Sequence, residues 1–306
     1  MPSPPSSQPR IAVIGGGGIG GFLAARLALA GREVTLCVRS AFAELVLESG
    51  GKTQRAPVAI ATEPSAQSAA EWVFLVTKAQ DTQGAAPWLA RLCKPGTILV
   101  VVQNGIDHEA RVAPVAAGAT ILPALAYAGA ERVAPGHIRH HTGSALVVPK
   151  GEAGAALAAL LAGSDVGVRE SEDFLTASWM KLLGNLAANP VTALTARRME
   201  VFRDPAIRQL ALSLLEEGAA VGRACGAKLP MDQARKTLAE ISGYSASGGS
   251  SMLYDRLAMR PLEHEYLTGA VVRAAARHGI DVPLNRAVLA ILGALSDGLS
   301  AGRKQA

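Results

Sequence analysis

The sequence predicts two domains in a row: a doubly wound α/β domain built on a mainly parallel sheet, then an all-helical domain. Three observations predict this. The chain has 306 residues, enough for two domains of roughly 150 each. Over the first half, short runs rich in Val, Ile and Leu alternate with helical stretches, the pattern of parallel strands covered on both faces. Beyond about residue 168 such runs vanish and only helical periodicity remains. The expected boundaries are a floppy tail over 1–9, a first domain over 10–168 and a second over 169–306.

Each element follows in order. Ile11-Ala12-Val13-Ile14 reads as a buried strand, followed by a glycine run and a helix over 19–30 that stops at Gly31. A second strand is expected over 33–38 and a helix over 41–48. Two more strands, over 72–77 and 97–102, flank a helix over 82–91. From 120 to 148 shorter strands with Pro and Gly turns suggest an antiparallel extension. In the second domain, helices are expected over 173–188, 206–225, 231–240, 253–278 and 284–299, with Pro190, Pro205, Pro230 and Pro283 at or near their ends.

Composition removes several classes of function. Hydrophobic residues make up 49% of the chain, which supports real cores and excludes a disordered protein. Aromatics at 4% are too few for base-stacking platforms, and the +5 charge is scattered, so no nucleic-acid partner is expected. Cys37, Cys93 and Cys225 form no paired spacing, which argues against a disulfide framework or a metal site. With no signal-type apolar segment and no membrane span, a cytoplasmic protein is expected.

The chemistry concentrates in a few places. Gly15-Gly16-Gly17-Gly18-Ile19-Gly20 fits GxGxxG, and it follows a strand and opens a helix, the context of a Rossmann-type dinucleotide site. Gly15 would permit the tight turn, Gly17 the close approach of a pyrophosphate, and Gly20 close packing of helix on strand. At the end of the second strand, where an acid would accept a ribose 2′-OH, stand Val38-Arg39-Ser40. A guanidinium there pairs with a 2′-phosphate, so NADP(H) is the expected cofactor. Lys78 and Gln103-Asn104-Gly105 follow two successive strands at their carboxyl ends, where ligands bind in such sheets. In the second domain Lys181, Asn185 and Asn189 stand at i, i+4 and i+8 on an otherwise apolar helix, a polar stripe suited to a ligand cleft, with Pro190 ending the helix just beyond. Ser250-Ser251 opens a later helix, as an N-cap or an anion-binding turn, and Glu263 follows. His140-His141 reads as structural.

Together these residues resemble the ketopantoate reductase (2-dehydropantoate 2-reductase) family, from about Ile11 to Leu299. The resemblance implies reduction of a 2-keto acid by NADPH, with ketopantoate giving pantoate in pantothenate and coenzyme A biosynthesis. It implies that Lys181 donates the proton, that Asn185, Asn189, Ser250 and Ser251 hold the substrate, and that Glu263 stands where cofactor and substrate meet. Lys78, Asn104 and Ala130 would contact the dinucleotide. Homodimerisation is left open. Gly248-Gly249 and Met199 stand where some members carry Asn, which leaves the choice of keto acid open. Two other classes compete: another hydroxyacid or opine-type dehydrogenase on the same plan, and a non-catalytic dinucleotide sensor. The Lys-Asn-Asn stripe speaks against the sensor, which has no use for a proton donor.

Overall fold

The structure is a computed structural model that describes residues 8–305, with side chains as far as residue 302. Most of the expected tail over 1–9 lies outside the described residues. The chain forms two compact units. One comprises the residues up to Gln103 together with Asp107–Phe174, and the other Asn104–Ile106 together with the residues from Leu175 onward.

The first unit runs β1 (Ile11–Ile14), α1 (Gly18–Leu29), β2 (Val34–Cys37), β3 (Leu45–Ser49), β4 (Lys52–Ala56), β5 (Ala59–Ala61) and β6 (Trp72–Leu75). It continues with α2 (Ala86–Leu92), β7 (Ile98–Val101), α3 (His108–Val112), β8 (Thr120–Pro123), β9 (Leu125–Ala134), β10 (His137–Pro149), α4 (Glu152–Leu161) and β11 (Gly167–Ser171). Six parallel strands form one sheet in the order β5-β2-β1-β6-β7-β8. The chain builds outward from β1 through β2 to β5, then returns to β6 on the other side of β1. Ligands bind outside the carboxyl ends of the strands at such a reversal.

A second sheet, β11-β10-β3-β4 with β9 paired to β10, lies beyond α1. Phe22, Leu23 and Leu27 of α1 share one core with Val13 and Leu36 of the first sheet and with Leu45, Leu47 and Ile138 of the second. On the opposite face of the first sheet, Leu89, Leu92 and Val112 pack against Ile14, Leu75 and Val101. The helix carrying the glycine loop is therefore held from two sides, by apolar burial that is the main source of its stability.

Two expectations for this unit are corrected. The helix expected over 41–48 is absent, and Leu45–Ser49 is instead a strand in a hairpin with β4. Leu45 and Leu47 are buried and Val46 is not, a period of two, and Gly50 and Gly51 both take positive φ (56° and 75°). Two such residues between paired Ser49 and Lys52 make the primed turn that suits hairpin twist. Nor do strands vanish after residue 168, because β11 pairs parallel with β10, and the first unit ends at Phe174.

The second unit is helical: α5 (Phe174–Thr195), α6 (Pro205–Ala224), α7 (Gln233–Ser242), α8 (Ser251–Leu257), α9 (Thr268–Arg277) and α10 (Pro283–Gln305). Trp179, Leu182, Leu183 and Leu186 of α5 form one core with Leu214 and Leu215 of α6, Val271 of α9 and Leu292 of α10. Gly218 and Gly222 let α6 approach α5 closely, since an added Cβ would fall 2.4 Å from Leu186 and 3.0 Å from Trp179 respectively.

Two more expectations are corrected here. Pro190 does not end its helix: α5 runs on to Thr195 with Pro190 inside. Residues 186–193 are all buried, so packing offsets the backbone hydrogen bond that proline removes. The single helix expected over 253–278 is broken into α8, a loop with Pro261, a 3₁₀ turn over His264–Tyr266, and α9. Among the described residues no helix is long and apolar enough to cross a membrane.

Candidate active site

The candidate dinucleotide-binding residues of the first unit cluster around the glycine loop. Gly15 takes φ 112°, and a Cβ there would press within 2.9 Å of the Thr77 nitrogen, so only glycine fits the turn after β1. A Cβ on Gly20 would fall 1.9 Å from the Gly15 carbonyl oxygen, and one on Gly18 would fall 2.2 Å from the carbonyl oxygen of Ala130 in β9. Gly17 is different: a Cβ there meets nothing within 4 Å. The loop is thus crowded wherever protein packs on protein and open only in front of α1. Gly17 caps that helix without a side-chain bond, and its first turn holds no acidic residue. Free N–H groups and the helix dipole make this an anion site, and the open cradle fits a pyrophosphate.

Arg39 follows β2, whose Cys37 carbonyl accepts from the Gly15 N–H at 3.0 Å. It is exposed and makes no hydrogen bond or ion pair among the described residues, so its guanidinium is available to a phosphate. Lys78, half-buried, follows β6 and caps a short 3₁₀ turn. Gln103 is committed to structure: its Nε2 donates to Thr77 Oγ1 (3.0 Å) and to Thr82 Oγ1 (3.0 Å), tying together the ends of β6 and β7. His140 is structural too, stacked on Phe22 with ring centroids 4.4 Å apart. Burial pushes the Cys37 and Cys93 thiols up to about 12 and about 11, so neither serves as a nucleophile. No cluster of metal-ligating side chains occurs among the described residues.

The second unit holds the remaining candidates, including Asn104, which belongs to it although it directly follows β7 and Gln103. Asn104 Nδ2 donates to Glu263 Oε2 at 3.2 Å, and Glu263 is buried at 3% exposure. On α5 the stripe is present as expected, spanning roughly 12 Å of the helix axis from first to last residue. Lys181 and Asn185 keep part of their surface accessible, whereas Asn189 is buried. The apolar surroundings of Lys181 disfavour its charged form, and burial lowers its pKa from 10.5 to about 8. The Asn185 amide has no hydrogen-bond partner among the described residues.

Asn189 and the serines carry a structural duty that the sequence did not reveal. Asn189 Oδ1 accepts from Ser251 Oγ and from the Met252 N–H, both at 3.3 Å, and so helps cap α8. Ser250 is the N-cap, accepting from the Leu253 N–H at 3.1 Å and touching Thr192 Oγ1 at 2.7 Å. Arg256 returns the favour, donating to the Ala193 and Leu194 carbonyls at the end of α5. Two helices thus cap each other, and no local spacing announces a cap supplied by a residue some 60 positions away.

Comparison with known proteins identifies the family. The family profile for ketopantoate reductase PanE/ApbA matches residues 11–153, and that for its C-terminal part matches residues 173–296. The 2-dehydropantoate 2-reductase of Caulobacter vibrioides is 37% identical over 93% of this chain and 98% of its own. The solved PanE/ApbA family ketopantoate reductase of Ralstonia eutropha superposes with a TM-score of 0.87, at 30% identity, over 95% of this chain and 99% of that one. A D-mandelate dehydrogenase, solved with NADH and anilino(oxo)acetate, shares the fold with a TM-score of 0.86 at 21% identity, over 95% and 99% of the two chains. The chain belongs to the ketopantoate reductase family and is an oxidoreductase that acts on CH–OH groups.

Proposed function

We propose that the protein reduces a 2-keto acid to the 2-hydroxy acid with NADPH, and that its substrate is 2-dehydropantoate, giving pantoate for pantothenate and coenzyme A synthesis. The observation that carries the reading is Lys181, a cation on an apolar helix, its pKa brought to about 8 and its stripe shared with Asn185 and Asn189. Gly15 to Gly20, Arg39, Lys78, Asn104, Ala130 and Glu263 hold the dinucleotide in this reading. Bound NADPH supplies the hydride for the carbonyl carbon.

The chain's own residues do the rest. As negative charge builds on the carbonyl oxygen, the Lys181 ammonium stabilises it and delivers a proton to it. A pKa near 8 keeps about nine-tenths of Lys181 protonated at pH 7 and makes it a far better acid than an ordinary lysine. Asn185 offers its uncommitted amide to the substrate. Asn189 holds its amide orientation through the α8 cap and offers its Nδ2, and Ser251 offers its hydroxyl from the exposed first turn of α8. Ser250 supports them from its buried cap. The enzyme acts in the cytoplasm on a small soluble acid.

The test is initial-rate turnover with NADPH and NADH against ketopantoate, other branched 2-keto acids and aryl 2-keto acids. NADPH with ketopantoate should give the highest kcat/KM by at least about tenfold, the worth of one hydrogen bond to a charged group. An equal or higher value with an aryl keto acid, or with NADH, would overturn the substrate or the cofactor assignment respectively.

A further inference from the structure

The loop that delivers Glu263 is closed by a charged latch, and it rests on the reading of Glu263 as a site residue given above. Helix α8 ends in a Schellman motif: the Met259 N–H bonds the Arg256 carbonyl at 3.0 Å and the Arg260 N–H bonds the Asp255 carbonyl at 2.8 Å. The motif requires a left-handed residue in the position that Met259 occupies, with φ 52°. Glycine normally stands there, and a methionine held in that region is strained. The motif is also usually sealed by an apolar contact between the residues that Asp255 and Arg260 represent. Here an ion pair takes its place, Arg260 Nε to Asp255 Oδ1 at 3.0 Å, with the Asp255 side chain only 5% exposed.

The other end of the loop is fixed as firmly. Leu262, buried at 3%, donates its N–H to Ser296 Oγ of α10 at 3.0 Å. Glu263 comes next, buried, receiving Asn104 Nδ2 and starting the 3₁₀ turn through its carbonyl, which accepts from the Tyr266 N–H at 3.1 Å. The pair adds little stability compared with apolar packing, and Arg260 Nε makes no hydrogen bond in it, so it holds residue 260 against the end of α8 by attraction between charges. A strained residue sealed by such a pair, four positions before a buried carboxylate, is an expensive way merely to end a helix.

We infer that Asp255 and Arg260 are positioning residues, which hold residues 259–262 so that the Glu263 carboxylate is presented to the reacting groups in a single orientation. They act through Glu263 and touch neither substrate nor cofactor.

The experiment uses the full-length chain with Arg260→Met, Arg260→Lys, Glu263→Gln and the Arg260→Met/Glu263→Gln double variant. Two readouts are taken: amide hydrogen exchange of the segment 258–264 without ligands, and kcat/KM for ketopantoate at saturating NADPH. In Arg260→Met, exchange of that segment should accelerate about tenfold or more while the α5 and α6 peptides stay as in the wild type. Its kcat/KM should fall about tenfold, Arg260→Lys should recover part of the loss, and in the Glu263→Gln background the same change should cost less than about twofold. Equal losses in both backgrounds would overturn the inference, because a merely structural lesion adds to the loss of Glu263 instead of acting through it. Unchanged exchange in Arg260→Met would overturn the latch itself. If Glu263→Gln alone leaves kcat/KM intact, the site role of Glu263 fails, and the exchange data still decide whether the latch exists.

Discussion

Replacing Lys181 by Met should make the protein inactive and more stable at once. The aliphatic stem is kept and the ammonium removed. In the folded chain burial brings the Lys181 pKa from 10.5 to about 8. At ~1.36 kcal/mol per pH unit this amounts to a cost of up to roughly 3 kcal/mol for keeping the group charged in the folded state. The cost is complete below pH 8, where folded and unfolded chains both hold the proton. It disappears as pH rises from 8 towards 10.5, where only the unfolded chain holds it, so wild-type stability should climb with pH across that window. Lys181→Met removes the cost and should raise the melting temperature at pH 7 by several degrees, at about 2–4 °C per kcal/mol for a domain of this size. Turnover should fall about 10²–10⁴-fold through loss of the proton donor and of charge stabilisation. The assay pairs a thermal melt from pH 6 to 10 with ketopantoate turnover. The wild-type rate should decline about tenfold per pH unit above pH 8, as the acid loses its proton. A melting temperature that drops with turnover preserved would refute the reasoning on both counts.

Other outcomes follow from the same geometry. Arg39→Asp should weaken NADPH about ten- to a hundredfold, by loss of a pairing worth about 1.5–3 kcal/mol, and spare NADH, as read by fluorescence titration. Gly17→Ala should leave the melt nearly unchanged and weaken dinucleotide binding, whereas Gly20→Ala should lower the melting temperature, because its Cβ would fall 1.9 Å from the Gly15 carbonyl oxygen. Asn185→Ala should raise KM for the keto acid about tenfold without changing the melt, while Asn189→Ala should raise KM and also destabilise by about 1–2 kcal/mol, because it uncaps α8. Equal melting curves for the two asparagine variants would contradict the capping role of Asn189.

Much of this was legible in the sequence because the signals were local. The strand, glycine run and helix at 11–29 announce themselves by period and by composition, and so does the apolar helix bearing Lys181. The errors came where two local signals competed. Residues 41–48 have good helix formers, yet burial of Leu45 and Leu47 and the Gly50-Gly51 turn made a hairpin. Pro190 reads as a stop, yet complete burial around it lets α5 continue. Non-local bonds left no trace at all: Asn189 capping α8, Arg256 capping α5, and Asn104 reaching Glu263 across 159 positions. The candidate residues were therefore visible as chemistry before their supports were visible as structure.

The most direct test of the central claim follows the hydride itself. The enzyme is given ketopantoate and NADPH deuterated at the transferable C4 position of the nicotinamide, and the hydroxy acid is examined by mass spectrometry and NMR. The account predicts one deuterium at C2 of pantoate, bound to carbon and retained in water. Pantoate formed without that label, or NADPH consumed with no hydroxy acid produced, would contradict it.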